Sequence, residues 1–232
     1  LKFAEKHGIR RVLIEKSAPF CACMPKIDLN ALAVLLKGKG FDVAFVDFTQ
    51  GLENAVRETA DLLGCPDKAG GILADYETAM RKTRQKMAGK AFAEEVVIIR
   101  GTYQEGTGKT FLRVEAPGGH ADRFLLREMG SENAGAGLYP AGREAVKGHV
   151  PVRELDGLTA AAPDAVVMTG DAIAVQKALV KAVRENPALA DVPAIRAHAV
   201  YSLPGYIDSG VIEYPMALRR WADVLERPVP GK

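Results

Sequence analysis

Along this chain the spacing of apolar residues switches repeatedly between a period of two and a period near 3.6, the mark of strands interleaved with helices. Residues 1–8 read as the end of a helix stopped by Gly8, and RVLIE over 11–15 as a short buried strand. After an irregular loop, KSAPFCACMPKID, Asp28 is placed to cap a helix whose Leu29, Leu32, Leu35 and Leu36 make an apolar face. DVAFVDF over 42–48 is a second strand, so strand, helix and strand form a βαβ unit, expected to be parallel and right-handed. A further helix covers 53–63. The longest helical pattern then runs over 66–88, where Ala69, Ile72, Leu73, Tyr76, Met80 and Met87 recur at three- and four-residue steps. At 1.5 Å per residue it spans roughly 34 Å, long enough to bridge two bodies.

Beyond Gly89 the alternation restarts. EVVII over 95–99 and FLRVE over 111–115 are strands joined by a Gly-rich turn, and Pro117, Gly118 and Gly119 open a helix, HADRFLLREMG. The stretch 131–148, rich in Gly and Ala with little periodicity, reads as a long surface loop. A short helix over 155–161 precedes a strand over 165–168, after which Thr169, Gly170 and Asp171 turn into the helix AIAVQKALVKAVREN. A strand near 199–203 and an amphipathic helix over 215–225 complete the pattern, which is α/β throughout.

Composition changes this picture little. The chain has 232 residues, 48% hydrophobic and 26% charged, ordinary values for a globular protein with one large core or two modest ones. With 31 Lys and Arg against 29 Asp and Glu the net charge is +2, and no basic cluster is interleaved with aromatics, so nothing points to nucleic acid. No apolar run approaches the about 18 residues that cross a bilayer. Cys21, Cys23 and Cys65 are too few for a disulfide framework; Cys21 and Cys23 are too close for an unstrained bridge, while a bridge from either to Cys65 stays open.

The order of motifs resembles the substrate-binding proteins of ABC importers for iron–siderophore, haem and cobalamin. LNALAVLLKGKGFDVAFVDF is similar to the helix, glycine and strand of that family's N-terminal lobe. TADLLGCPDKAGGILADYETAMRKTRQKMAG resembles its connection into a long helix. EMGSENAG resembles the loop after its C-lobe helix, and APDAVVMTG, DVPAIRAHAVYSLPG and ALRRWADVL resemble its C-terminal third. The resemblance implies two Rossmann-like lobes with mainly parallel sheets joined by one long backbone helix: an N-terminal lobe over 1–64, the connecting helix over 65–89 and a C-terminal lobe over 90–232. It implies a ligand clamped between the lobes, small hinge motion, a periplasmic or extracellular membrane-associated location, and docking on an ABC permease. A strand–helix pair usual before 11–15 in that family is missing, so either the sequence is truncated there or the N-terminal lobe is a shortened one.

Ligands of open α/β sheets sit beyond the carboxyl ends of the strands. That rule selects Cys21, Cys23 and Met24 in the first loop, soft donors for a metal or a tetrapyrrole iron, although Cys and Met equally serve as buried packing. It selects Arg100 and Tyr103 in the second, where a guanidinium suits a siderophore or porphyrin carboxylate, or merely ends a strand in solvent. Gly118, Gly119 and His120 stand at a helix N-terminus, where N–H groups attract anions and His120 is a candidate metal ligand alongside Cys21 and Cys23. Asp171 is most simply a helix cap, and Tyr206 either stacks on or ligates a chelate, or packs structurally.

Catalytic patterns are weaker. GTGKT at 106–110 lacks the spacing of a phosphate loop and lies between strands, as a hairpin turn, and the four histidines show no HxH or HExxH spacing. The reading is therefore a non-enzymatic receptor for an iron or cobalt chelate, with no intrinsic cofactor. The alternative is a metal- or tetrapyrrole-handling enzyme with a chelatase-like or nitrogenase-like pair of lobes.

Overall fold

The computed structural model describes residues 2–16, 28–146, 148–205 and 211–227. It separates into two compact units, Leu1–Thr78 and Ala79–Lys232.

In the first unit a short helix α1 (Lys2–Lys6) precedes strand β1 (Arg11–Lys16), followed by helix α2 (Leu29–Gly38) and strand β2 (Asp42–Asp47). β1 and β2 pair in parallel from Arg11↔Asp42 to Lys16↔Asp47, the expected βαβ unit. Asp28 caps α2 as expected, its Oδ1 accepting the N–H of Asn30 at 2.9 Å and of Ala31 at 3.1 Å. Leu29, Leu32 and Leu36 pack on the core of Ile14, Ala33 and Val43, whereas Leu35 is 58% exposed. Helix α3 (Leu52–Leu62) buries Ala55 and Ala60, and the Arg11 guanidinium ties β1 to its end by donating to the Leu62 carbonyl at 2.6 Å.

Helix α4 (Asp67–Met87) carries the boundary between the units, between Thr78 and Ala79. Its inward stripe is Ala69, Met80, Thr83 and Met87; Thr83 joins it because its hydroxyl donates to the Pro215 carbonyl at 3.3 Å, and Ile72 faces out.

In the second unit, strand β3 (Ala91–Phe92) leads to β4 (Glu95–Gln104) and β5 (Lys109–Glu115), an antiparallel hairpin closed at Gln104↔Lys109, where the GTGKT turn was expected. A helix then covers 120–129. Its middle, Asp122–Leu126, is wound as a π-helix before α5 (Arg127–Met129) and the left-handed Gly130. The stretch expected to be a surface loop instead contains strand β6 (Glu132–Asn133), parallel to β4, and a 3-10 turn, Ala134–Leu138. Its small residues serve close packing: a Cβ on Gly137 would lie 2.8 Å from the Ala161 Cβ, and Leu138 is buried in the core. Strand β7 (His149–Val152) also lacked a periodic signal. It is a short edge strand, antiparallel to β5, that tolerates Pro151 opposite Arg113.

Helix α6 (Leu158–Ala161), strand β8 (Ala165–Gly170), helix α7 (Ala172–Glu185), helix α8 (Pro193–Arg196), strand β9 (Val200–Ser202), helix α9 (Tyr214–Leu225) and strand β10 (Glu226–Arg227) follow. The main sheet has the order β7-β5-β4-β8-β9, with β6 also on β4. The β4–β8, β8–β9 and β4–β6 pairings are parallel, while β5 is antiparallel to both of its neighbours. Strand alternation gives the sheet two apolar faces. On one, Val97, Ile99, Leu112, Val114, Val166 and Met168 pack with Val175 and Leu179 of α7 and with Leu158 and Leu189. The other carries Val96 and Ile98, both buried, as are Leu125, Leu126 and, on α9, Leu218, Trp221 and Leu225. Trp221 satisfies its indole N–H on the Pro204 carbonyl at 3.0 Å.

Candidate ligand-binding site

Strand β8 ends against β4, with Arg100↔Thr169 and Gly101↔Gly170 in register, while β4 runs on to Gln104. Gly170 has φ +66°, a conformation that favours glycine, and a Cβ there would meet the Arg100 Cγ at 3.2 Å. The Arg100 side chain therefore lies against the Gly170 backbone. Asp171 donates its N–H to the Gly101 carbonyl at 3.0 Å, and its carboxylate caps α7 by accepting the Ala174 N–H at 3.0 Å, the cap role expected of it. Tyr103 sits further out on the hairpin, paired with Thr110 and 50% exposed.

Because β5 runs against β4, the turn 117–120 leaves the sheet beyond the Ile99↔Val114 pair, well short of the end of β4 at Gln104. The carboxyl ends of β4 and β5 thus point in opposite directions along the sheet. Alternation nevertheless puts Arg100 of β4 and Glu115 of β5 on the same face.

Glu115 is the centre of this turn. Only 6% exposed, it accepts the N–H of Ala121 at 2.6 Å and of Asp122 at 3.1 Å through Oε1, capping the helix over 120–129 from a neighbouring strand. Burial pushes its carboxyl up to about 7, with the two N–H groups and the Arg100 charge pulling the other way and Asp122 adding to the rise. Asp122, also buried, accepts the Gly118 N–H. The Gly119 N–H donates to the Ala116 carbonyl at 2.8 Å. The amides of Gly118 and Gly119, expected to attract an anion, are thus engaged within the chain. Asn133 completes the support: its Nδ2 donates to the carbonyls of Glu115 and Ala116, each at 3.2 Å, and its Oδ1 accepts the Gly135 N–H at 2.8 Å.

His120 starts the helix, half-buried, with its ring centroid 4.8 Å from that of Phe124. Burial lowers its pKa to about 4, helped by the charges of Arg123 and His149. The imidazole is therefore neutral near pH 7, the form that ligates metals. Among the described residues no group of three or more His, Cys, Asp or Glu is arranged to hold a metal ion by itself.

The structure therefore gathers Gly118, Gly119 and His120 around Glu115, puts Arg100 on the same face of the sheet as Glu115 with Asp171 capping α7 beside it, and leaves Tyr103 out on the hairpin. Cys21, Cys23, Met24 and Tyr206 lie outside the described residues. Sequence reasoning missed Glu115, Asp122 and Asn133. In FLRVE the alternation groups Glu115 with the exposed Phe111 and Arg113, and only the returning helix buries it. The readable signal was a Glu two residues before Pro-Gly-Gly with an Asp seven residues on.

Among the described residues no helix is long and apolar enough to cross a membrane. No curated protein matches the chain in sequence. Solved structures do match in fold. The periplasmic heme-binding protein RhuT from Roseiflexus sp. RS-1, in apo form, is 20% identical with a TM-score of 0.62, over 93% of this chain and 74% of that one. HutB of Vibrio cholerae, a periplasmic heme-binding protein, is 13% identical with a TM-score of 0.62, over 97% and 79%. A periplasmic heme-binding protein from Pseudomonas aeruginosa is 20% identical with a TM-score of 0.59, over 95% and 75%. These likenesses establish the α/β fold. The family model described as periplasmic binding protein matches residues 31–207, which take in most of α2, the whole of α4, the main sheet and the Glu115 turn, and the chain belongs to the periplasmic binding protein family.

Proposed function

We propose that this protein is an extracytoplasmic receptor for a metal chelate of the iron–siderophore, haem or cobalamin type, which it delivers to an ABC permease in the membrane. The observation that carries this reading is the family match over 31–207, and the heme-binding proteins of like fold favour haem among the chelates. The chemistry of the described residues agrees. Arg100 supplies a guanidinium for a carboxylate or another anionic group, and His120 supplies a neutral imidazole for the iron or cobalt. Tyr103 offers an exposed ring to a flat ligand. Gly118, Gly119 and Asp171 shape the backbone around these groups. Cys21, Cys23, Met24 and Tyr206 supply the remaining contacts, the two cysteines as soft ligands. The N-terminal lobe, over 1–64, and the C-terminal lobe, over 90–232, are joined by the helix over 65–89, and the protein acts outside the cytoplasm as a carrier, with no catalytic residue.

The test is titration of the purified protein with haem, cobalamin, ferric siderophores and free divalent metals, followed by absorbance and Trp221 fluorescence. Binding of one chelate at micromolar concentration or below is expected. No binding of any of them, together with turnover of a tetrapyrrole or metal substrate, would overturn the reading. Replacing Cys21 and Cys23 by Ser weakens binding about tenfold, or about 1.4 kcal/mol, if they ligate. Unchanged affinity returns them to packing.

A further inference from the structure

Glu115 makes none of the ligand contacts assigned above, yet the parts of the candidate site converge on it. Helix N-terminal amides need acceptors, and the usual source is the residue just before the helix. Here the acceptor comes from β5. Its Oε1 takes the N–H of Ala121 at 2.6 Å and of Asp122 at 3.1 Å, the two amides directly after His120. The turn between them is packed onto the same side chain, since a Cβ on Gly119 would stand 2.6 Å from the Glu115 Cγ and 2.7 Å from its Oε1. In the ladder, Glu115 pairs with His149, whose charge, with that of Arg123, bears on His120. Across β4, Arg100 shares its face and interacts with it electrostatically. Asp122 and Asn133 hold the flanking backbone.

We infer that Glu115 is the positioning residue of the candidate site: its one buried carboxyl group fixes the backbone on which His120 stands and sets how much of the Arg100 charge a ligand meets. It touches no ligand. The affinity arm of this inference rests on the proposed chelate site; the positioning arm does not.

The test uses Glu115→Gln and Glu115→Ala in the full chain, with folding checked by circular dichroism. Nuclear magnetic resonance follows the His120 imidazole, and haem is the titrated probe. The Gln amide oxygen accepts the same two N–H groups, so the His120 ring shifts imposed by Phe124 stay in place. In Glu115→Ala the ring shifts imposed by Phe124 are lost. Haem binds Glu115→Ala about tenfold more weakly. Above about pH 7, where the native Glu115 is ionised, it binds Glu115→Gln at least as tightly as the native protein, because Arg100 no longer shares its charge with an internal carboxylate. A folded Glu115→Ala protein with native His120 resonances overturns the positioning role, and weaker haem binding by Glu115→Gln overturns the charge-sharing role. If the native protein binds no haem, the haem reading fails, while the His120 resonances still decide the positioning role. Should Glu115→Ala not fold, Glu115→Asp, which draws the carboxyl back by one methylene, is held to the same His120 criterion.

Discussion

The Glu115 carboxylate accepts the Ala121 N–H at 2.6 Å, so the end of a strand caps a helix that begins five residues later. Two titrating groups, Glu115 and His120, flank this bond, and their shifts run in opposite senses.

Stability against pH follows from that opposition. Glu115 is raised from 4.5 to about 7, so the folded state holds a proton that the unfolded chain has already released. Its contribution is fully present below about 4.5 and is lost as pH rises to about 7, up to about 3 kcal/mol for so buried a group. His120 is lowered from 6.5 to about 4, so its contribution is present above 6.5 and is lost as pH falls to about 4. Its half-exposed ring makes the effect smaller. Between about 4.5 and 6.5 the two slopes oppose each other. Urea unfolding followed by Trp221 should show a shallow native profile, a rising one for Glu115→Gln and a steeper falling one for His120→Gln. Identical profiles for all three would exclude this assignment.

The cap on α7 gives a second expectation. Asp171 accepts the Ala174 N–H at 3.0 Å, and Ala at this position leaves that amide without its acceptor. Asp171→Ala should lower stability by about 1 kcal/mol, and Asp171→Asn, which keeps an accepting oxygen, by much less. The check is the urea midpoint at unchanged denaturant slope. A stability loss as large for Asn as for Ala would show that something other than the cap had been removed.

What the sequence made legible depended on whether a residue's role was local. Asp28 and Asp171 cap the helices that follow them, and the GTGKT turn closes between its own flanking strands, so each role is written within a few positions. The length of α4 was equally local, an unbroken stripe with a breaker at each end. Glu115 is the opposite case. Its burial depends on a helix folding back over it and on Asn133, 18 positions away, holding its carbonyl, and neither leaves a periodic trace. The glycines of 131–148 misled for a related reason. Gly135 and Gly137 are small because Val114 and Ala161 press against them, and sequence alone does not separate a glycine that packs from one that turns. Of the candidate site, the residue types offered to a ligand were readable; the carboxyl group that organises them was not.

The last expectation concerns the junction of β4 with α7. Gly101 lies in β4 where the Asp171 backbone crosses it, and a Cβ there would collide with the Asp171 carbonyl oxygen and stand 2.9 Å from the Val175 Cγ2. That carbonyl is committed, since it accepts the Val175 N–H in the first turn of α7, while the Asp171 N–H is tied to the Gly101 carbonyl itself. Neither partner is the free end of a flexible side chain, so Gly101→Ala cannot be absorbed by a rotamer change. Relief requires moving the start of α7 away from the sheet, which also moves Gly170 and the Arg100 side chain resting on it. The substitution should lower stability by about 1–3 kcal/mol. It should also weaken binding of an anionic chelate through the displaced Arg100, whereas Gly106→Ala, in open space on the same hairpin, should change neither. Thermal unfolding and haem titration of the two variants side by side provide the check. Native stability in Gly101→Ala would mean that α7 is not seated on β4 as closely as this contact requires.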